Sequence, residues 1–168
     1  GHSGVPIALF YRVFTLTSDA IDSHGNIDSR YSFDSDNSSP ELRWLSPPSG
    51  TESFVLLLDS SAGPVSHWVV YNIPSHIHHL PAGIPPQDSL HNGILQGIND
   101  FGKLGYAGPT AIDGSGVTDY VFRLYSLSVK LDLPRRMTRD RLLSVIAPYI
   151  IEPAELHVRY EKAARKAG

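Results

Sequence analysis

The chain contains no cysteine and a single methionine among its 168 residues. The lack of cysteine excludes disulfide bonds, cysteine-ligated zinc and thiol catalysis together. It leaves the cellular compartment open, because a cysteine-free domain folds in reducing and oxidising environments alike. We expect a cytoplasmic protein. Periplasmic and secreted locations stay open, because residues 1–3 resemble a cloning remnant that replaces a native start.

Long apolar runs and clusters of positive charge are also missing. No run approaches the ~18 apolar residues that a membrane-spanning helix requires. The formal net charge is -3, and the basic residues form no cluster beyond the pair Arg135 and Arg136. The sequence therefore predicts neither a membrane span nor a nucleic-acid partner.

Turn-forming residues are plentiful by contrast, with 14 glycines and 13 prolines scattered along the chain. This pattern is typical of short strands joined by many turns. Hydrophobic residues make up 41 % of the sequence, which is enough for a core. A chain of this length suits one domain, here residues 1–168, that buries roughly 70 % of its unfolded surface.

The stretch 54–74 organises the rest of the chain. Residues 54–58 are all apolar, which predicts a buried strand, and residues 68–73 predict a second strand that Pro74 ends. Antiparallel pairing of these strands places Asp59 and His67 across one sheet edge. We expect the two side chains to lie within direct or one-water hydrogen-bonding range. The loop between the strands is longer than a usual hairpin loop, and such loops at strand ends often carry function.

The remaining segments predict mostly strands. Residues 7–16, 118–129 and 155–160 have strand-like composition or alternation, and a short strand carries Trp44. A helix is predicted to begin at Thr138 and to end before Pro148, and residues 161–168 read as a frayed helix. By pattern alone, this is an all-β sandwich with a peripheral helix.

Two chemical motifs are present only in part. His76, His78 and His79 suggest a metal site, but a loop bounded by prolines lacks the rigid, separated elements that zinc ligands need. The segment 97–103 resembles a phosphate-binding loop, yet Leu104 stands where a Ser or Thr would hold magnesium. We therefore expect no bound metal and no cofactor.

Two motifs together resemble the phosphatidylethanolamine-binding protein family, in particular its bacterial Raf-kinase-inhibitor-like branch. The first is the strand ending in Asp59 followed by His-Trp-Val-Val-Tyr-Asn-Ile-Pro, and the second is Gly-Ile-Asn-Asp-Phe-Gly-Lys-Leu-Gly-Tyr-Ala-Gly-Pro. The likeness extends from about Phe14 to Tyr160. It implies a Greek-key β-sandwich with one or two peripheral helices near the C-terminus and a small anion-binding cavity at one end.

The resemblance also implies the residues of that cavity, which would bind a phosphate or carboxylate through imidazole and loop N–H donors. The implied ligand-binding residues are Asp59, His67, Tyr106, Gly108, Pro109, Thr118 and Tyr120. The sequence departs from the family pattern where a second carboxylate is replaced by Ser61, and where a second histidine is replaced by Thr118. Loss of one charged hydrogen bond weakens anion binding by about 1–3 kcal/mol.

Three classes of function follow. We favour a non-enzymatic binding or regulatory module for a small anion or for a phosphorylated or acidic peptide. The alternative is a protein inhibitor of a hydrolase or kinase that acts through surface loops such as 76–91. An enzyme with Asp59 and His67 as an acid–base pair ranks last, because no nucleophile motif accompanies them. The resemblance also allows a homodimer.

Overall fold

The computed structural model describes residues 13–110 and 116–162. The predicted start of the first strand, the cloning remnant expected at 1–3 and residues 163–168 of the helix predicted over 161–168 lie outside the described residues. The prediction is wrong for Glu161, which ends the last strand. The strands and the α-helix in chain order are β1 (Thr15–Thr17), β2 (Leu42–Leu45), β3 (Ser53–Ser60), β4 (Ser66–Pro74), β5 (His79–Leu80), β6 (Leu95–Gln96), β7 (Val117–Leu127), α1 (Arg139–Ile146) and β8 (Ile150–Glu161). Short 3₁₀ helices lie at Ser29–Tyr31 and Ala147–Tyr149. No helix in these ranges combines the length and apolar character needed to cross a membrane.

The strands form two antiparallel sheets. One has the order β1-β2-β5 and the other the order β6-β4-β3-β7-β8. The predicted strands 54–58 and 68–73 lie within β3 and β4, pair antiparallel and are largely buried, which confirms that prediction. A parallel, helix-covered sheet is thereby ruled out for these strands. Greek-key connectivity stays a prediction.

Aromatic side chains fill the space between the two sheets. Trp44 from the small sheet packs edge-on against Phe54 of the large sheet, with ring centroids 5.6 Å apart. Trp68 is buried beside Tyr106, and its indole N–H donates a 2.8 Å hydrogen bond to Gln96. The expectation that both tryptophans lie in the core is confirmed.

The opposite face of the large sheet is covered by α1. Val55 and Leu57 of β3 pack there with Leu142 and Ile146 of the helix. Because β3 is buried on both faces, its sequence is an unbroken apolar run rather than an alternating one. Thr138 precedes the helix as predicted, although its hydroxyl makes no capping hydrogen bond. The central strand thus carries Asp59 into a layer between sheet and helix.

Candidate functional site

A β-bulge separates the two side chains expected to face each other. In the β3–β4 ladder Leu58 pairs with Trp68, and Asp59 pairs with Ser66, so His67 is the extra residue. A bulge redirects the side chains around it, because the inserted residue breaks the strict alternation of faces. Asp59 and His67 consequently have different neighbours.

Asp59 continues the face of β3 that packs beneath α1. Its side chain is 1 % exposed, and Nε of Arg139 lies 3.0 Å from both carboxylate oxygens. Nη1 of Arg123 approaches to 3.8 Å. Burial raises the pKa of the Asp59 carboxyl, and the two guanidinium groups oppose that shift. The donor that Asp59 binds is Arg139, at the first residue of the helix, and a role of Asp59 in ligand binding stays a prediction.

His67 is also buried, but its ring lies against different residues. Its Nδ1 is 2.7 Å from the carbonyl oxygen of Ala107. The ring packs edge-on against Tyr120 and Phe101, with centroid distances of 5.0 and 5.1 Å. Burial lowers the pKa of His67, while the backbone contacts to Ala107 and Gly108 oppose this.

Asp59 and His67 form neither a hydrogen bond nor an ion pair with each other in the described structure. Of the predicted direct or one-water range, the direct hydrogen bond is not formed, because Arg139 contacts the carboxylate and Ala107 contacts Nδ1. A bridge through one water stays a prediction. The carboxylate still lies close enough to favour a protonated His67 ring.

His67 borders a cavity of about 430 Å³ at the end of β3, β4 and β7. The described lining residues are Ser60, Ser61, Ala62, Val65, His67, Val117, Thr118, Asp119 and Tyr120. Three predicted residues are therefore brought together: His67, Thr118 and Tyr120. The other four are not in this lining. The site residues predicted from sequence did not include Ser60, Ser61, Ala62, Val65, Val117 and Asp119.

The hydroxyl groups of the cavity wall are largely occupied. Tyr120 donates a 2.8 Å hydrogen bond to the carbonyl oxygen of Thr110 and accepts one of 2.9 Å from its N–H. Thr118 donates to the same carbonyl at 3.1 Å. Burial raises the pKa of the Tyr120 hydroxyl, so it stays protonated. The carboxylate of Asp119, which also borders the cavity, is 3.0 Å from Nε of Arg159.

The glycine-containing loop at 105–110 supports the cavity from behind. Four of its N–H groups bond within the protein: Gly105 to the Gly97 carbonyl (3.2 Å), Ala107 to the His67 carbonyl (2.9 Å), Gly108 to Asn37 Oδ1 (2.7 Å) and Thr110 to the Tyr120 hydroxyl (2.9 Å). The expectation that this loop offers its N–H groups to an anion is corrected for these four.

Tyr106, Gly108 and Pro109 fix that loop against the segment 31–33. Tyr106 donates a 2.6 Å hydrogen bond to the carbonyl oxygen of Tyr31, and the Pro109 carbonyl accepts one of 2.9 Å from Phe33. A Cβ at Gly108 would overlap the Tyr31 carbonyl oxygen. These residues hold the Ala107 carbonyl in place behind His67.

The histidine-rich segment does not form a metal centre in the described ranges. Across 13–110 and 116–162, no three His, Cys, Asp or Glu side chains are grouped to hold a metal ion. His79 instead lies at the surface with Nε2 3.2 Å from Glu41.

Comparison with known proteins adds independent information. The sequence profile described as phosphatidylethanolamine-binding protein matches residues 17–161. A UPF0098 protein of Methanothermobacter thermautotrophicus is 36 % identical over 150 residues, which cover 88 % of this chain and 98 % of that protein. A UPF0098 protein of Aquifex aeolicus is 42 % identical over 113 residues, 65 % of this chain and 66 % of that protein.

Solved structures show the same similarity. The crystal structure of Escherichia coli YbcL, described as a member of the mammalian PEBP family, superposes with a TM-score of 0.80 at 26 % identity. It covers 89 % of this chain and 99 % of YbcL. A putative phosphatidylethanolamine-binding protein homologue from Chlamydia trachomatis gives a TM-score of 0.79 at 29 % identity, covering 90 % and 99 % of the two chains.

Proposed function

We propose that this chain, which belongs to the phosphatidylethanolamine-binding protein family, is a non-enzymatic binding or regulatory module of the Raf-kinase-inhibitor-like type. Its cavity beside His67 takes a small ligand that carries a phosphate or carboxylate group. The phosphate or carboxylate group belongs either to a free metabolite or to an acidic or phosphorylated side chain of a peptide.

The position of His67 supports the proposal. The ring is buried at the cavity, its Nδ1 is held by the Ala107 carbonyl, and Tyr120 fixes its plane. A side chain locked in this way has little rotational entropy to lose when a ligand binds. The second ring nitrogen is then the polar atom left to meet a ligand.

The contacts of Asp59 favour binding over catalysis. An acid–base pair needs a carboxylate within reach of the imidazole or of the reacting atom. Here the carboxylate is buried and contacted by Arg139 and Arg123, outside the cavity lining. The Asp59 carboxylate makes no direct hydrogen bond to His67, so an acid–base pair of these two side chains would need a bridging water.

Calorimetric titration with phosphorylethanolamine tests the proposal. We expect weak binding that is lost in Ala62→Trp, because the new side chain fills the cavity mouth. Ala82→Trp is the matched control, since this exposed alanine lies in another cavity. Thr118→His should tighten binding, most clearly below about pH 6.5, where an exposed imidazole gains charge. Unchanged binding by Ala62→Trp would contradict this location for the site.

A second candidate is inhibition of a hydrolase or kinase through the surface loops. The segment 77–94 encloses an apolar cavity of about 400 Å³ whose lining includes Ile77, Leu80, Ile84 and Leu90. Such a recess accepts an apolar side chain of a partner. Inhibition assays of wild type and Ala82→Trp, with Ala62→Trp as control, separate this candidate from the first. A homodimer and a cytoplasmic location stay predictions.

A further inference from the structure

We infer that an anion enters the cavity together with one proton, which makes His67 an imidazolium whose Nε2–H donates to the anion. This inference rests on the proposed function, because it concerns the same cavity. It goes further in stating that binding is linked to pH and that the empty site is uncharged at His67.

The tautomer of His67 follows from its hydrogen-bond partner. A carbonyl oxygen only accepts, so the 2.7 Å contact between Nδ1 and the Ala107 carbonyl requires a proton on Nδ1. A neutral imidazole carries one proton, which leaves Nε2 as a bare acceptor. Two acceptors repel each other, so neutral His67 cannot hold the oxygen of a fully ionised anion at Nε2.

The other described residues of the cavity wall offer few free hydrogen-bond donors to an anion. The hydroxyl protons of Thr118 and Tyr120 go to the Thr110 carbonyl, and the Ser60 hydroxyl is 3.3 Å from the Gly63 carbonyl. The Ser61 hydroxyl makes no hydrogen bond to a described residue. One neutral hydroxyl is a poor counterpart for an anion, because strong anion binding uses charged or multiple donors.

Charge balance leads to the same conclusion. No lysine or arginine is among the described lining residues, and Asp119 is neutralised by Arg159. Among the described lining residues, His67 is therefore the one that can supply a compensating positive charge to an anion in the cavity.

Several groups around the ring determine how readily it takes the proton. The backbone of Ala107 and Gly108 favours the charged ring, as do Asp59 from β3 and Asp100 from the loop after β6, and the neighbouring Tyr120 is neutral. Burial opposes the charge and lowers the pKa of His67 in the empty protein. An anion at Nε2 reverses that preference, because a close opposite charge stabilises the imidazolium.

The linkage is measured by titrating the protein with phosphorylethanolamine and, separately, with sulfate at pH 7.5. Each titration is repeated in buffers of different ionisation enthalpy, which reports the number of protons taken up. We expect uptake of nearly one proton per anion, and an affinity that rises up to tenfold for each pH unit lowered. Sulfate stays fully ionised in this range, so uptake with sulfate assigns the proton to the protein.

His67→Gln provides the variant arm, because an amide donates a hydrogen bond without titrating. Its sulfate affinity should not change between pH 5.5 and 8, because sulfate stays fully ionised there, whereas the exposed-site control His157→Gln keeps the wild-type dependence. If His67→Gln does not fold, the number of protons that the wild-type protein takes up on anion binding still tests the inference.

The outcomes are distinguishable. Binding of either anion without proton uptake would overturn the inference and leave the proposed function intact. Proton uptake with phosphorylethanolamine that persists in His67→Gln would place the proton on the ligand and overturn the imidazolium. No binding of either anion from pH 5 to 8 would show that the proposed anion site itself is wrong.

Discussion

Removal of the Arg139 side chain should destabilise the protein far more than removal of a surface arginine. Arg139→Ala leaves the carboxylate of Asp59, which is 1 % exposed, with only Arg123 at 3.8 Å. Breaking a buried ion pair from one side costs about 3–5 kcal/mol. Because Arg123 remains and the Arg139 side chain is itself 20 % exposed, we expect a loss of about 2–4 kcal/mol in the free energy of unfolding.

Arg135→Ala is the matched control. Asp88 is likewise contacted by two arginines, at 3.5 Å from Arg135 and 3.4 Å from Arg136, but the Arg135 side chain is 63 % exposed. Exposed ion pairs contribute about 0–1 kcal/mol, since water solvates both partners. Each variant removes one of two arginines that contact an aspartate, so the difference between the two variants reports the effect of burial on the ion pair.

Urea unfolding followed by tryptophan fluorescence measures the difference. With a slope of about 1–3 kcal/mol per molar urea, the Arg139→Ala midpoint should lie about 1–2 M below that of Arg135→Ala. Replacing Asp59 by Asn in the Arg139→Ala background should restore part of the loss, because the buried charge is removed. Equal midpoints for the two single variants, or no recovery in the double variant, would refute the reasoning.

Three further predictions concern the loop behind the cavity and His67 in its wall. Gly108→Ala should lower the free energy of unfolding by about 1–3 kcal/mol, because its Cβ meets a backbone carbonyl; thermal unfolding measures this loss against wild type. Tyr106→Phe should cost about 1–2 kcal/mol in urea unfolding, since a buried carbonyl loses its 2.6 Å donor, whereas the half-exposed Tyr149→Phe should cost little. The pKa of His67 is lower in the folded state than in the unfolded state, so the unfolded state binds more protons. The stability that this residue contributes is therefore complete above about pH 6.5 and is lost as the pH falls through the folded pKa. Wild type should therefore lose more stability than His67→Gln between pH 7.5 and 5 in urea titrations, and parallel curves would contradict this.

Much of the fold could be predicted because the central strand has an unambiguous pattern. An apolar run at 54–58 between turn-rich segments allows one arrangement, a strand covered on both faces. Trp44 and Trp68 are large enough that a small domain buries them wherever a core exists. The helix after Thr138 combines an apolar face with a proline stop, and this region forms α1.

The partner of Asp59 could not be predicted in the same way. A one-residue bulge at His67 changes which side chains share a face, and its position depends on the pairing of β3 with β4 rather than on local sequence. One signal was available. Arg123 stands between Phe122 and Leu124 in a strongly apolar strand, where a charge requires a partner. Nothing local marks Arg139 as the second partner.

The ion pair between Asp59 and Arg139 also constrains the order in which the chain folds. The two residues are 80 positions apart, so the carboxylate at the end of β3 has no helix-side counterion while the first part of the chain is being synthesised. At about 5–20 residues per second, the ribosome needs roughly 4–16 s to reach Arg139 after Asp59. For most of that interval β3 also lacks its neighbour β7, which ends at Leu127. The large sheet is therefore completed late in synthesis, and a nascent chain that ends before α1 exposes an apolar strand edge that chaperones recognise.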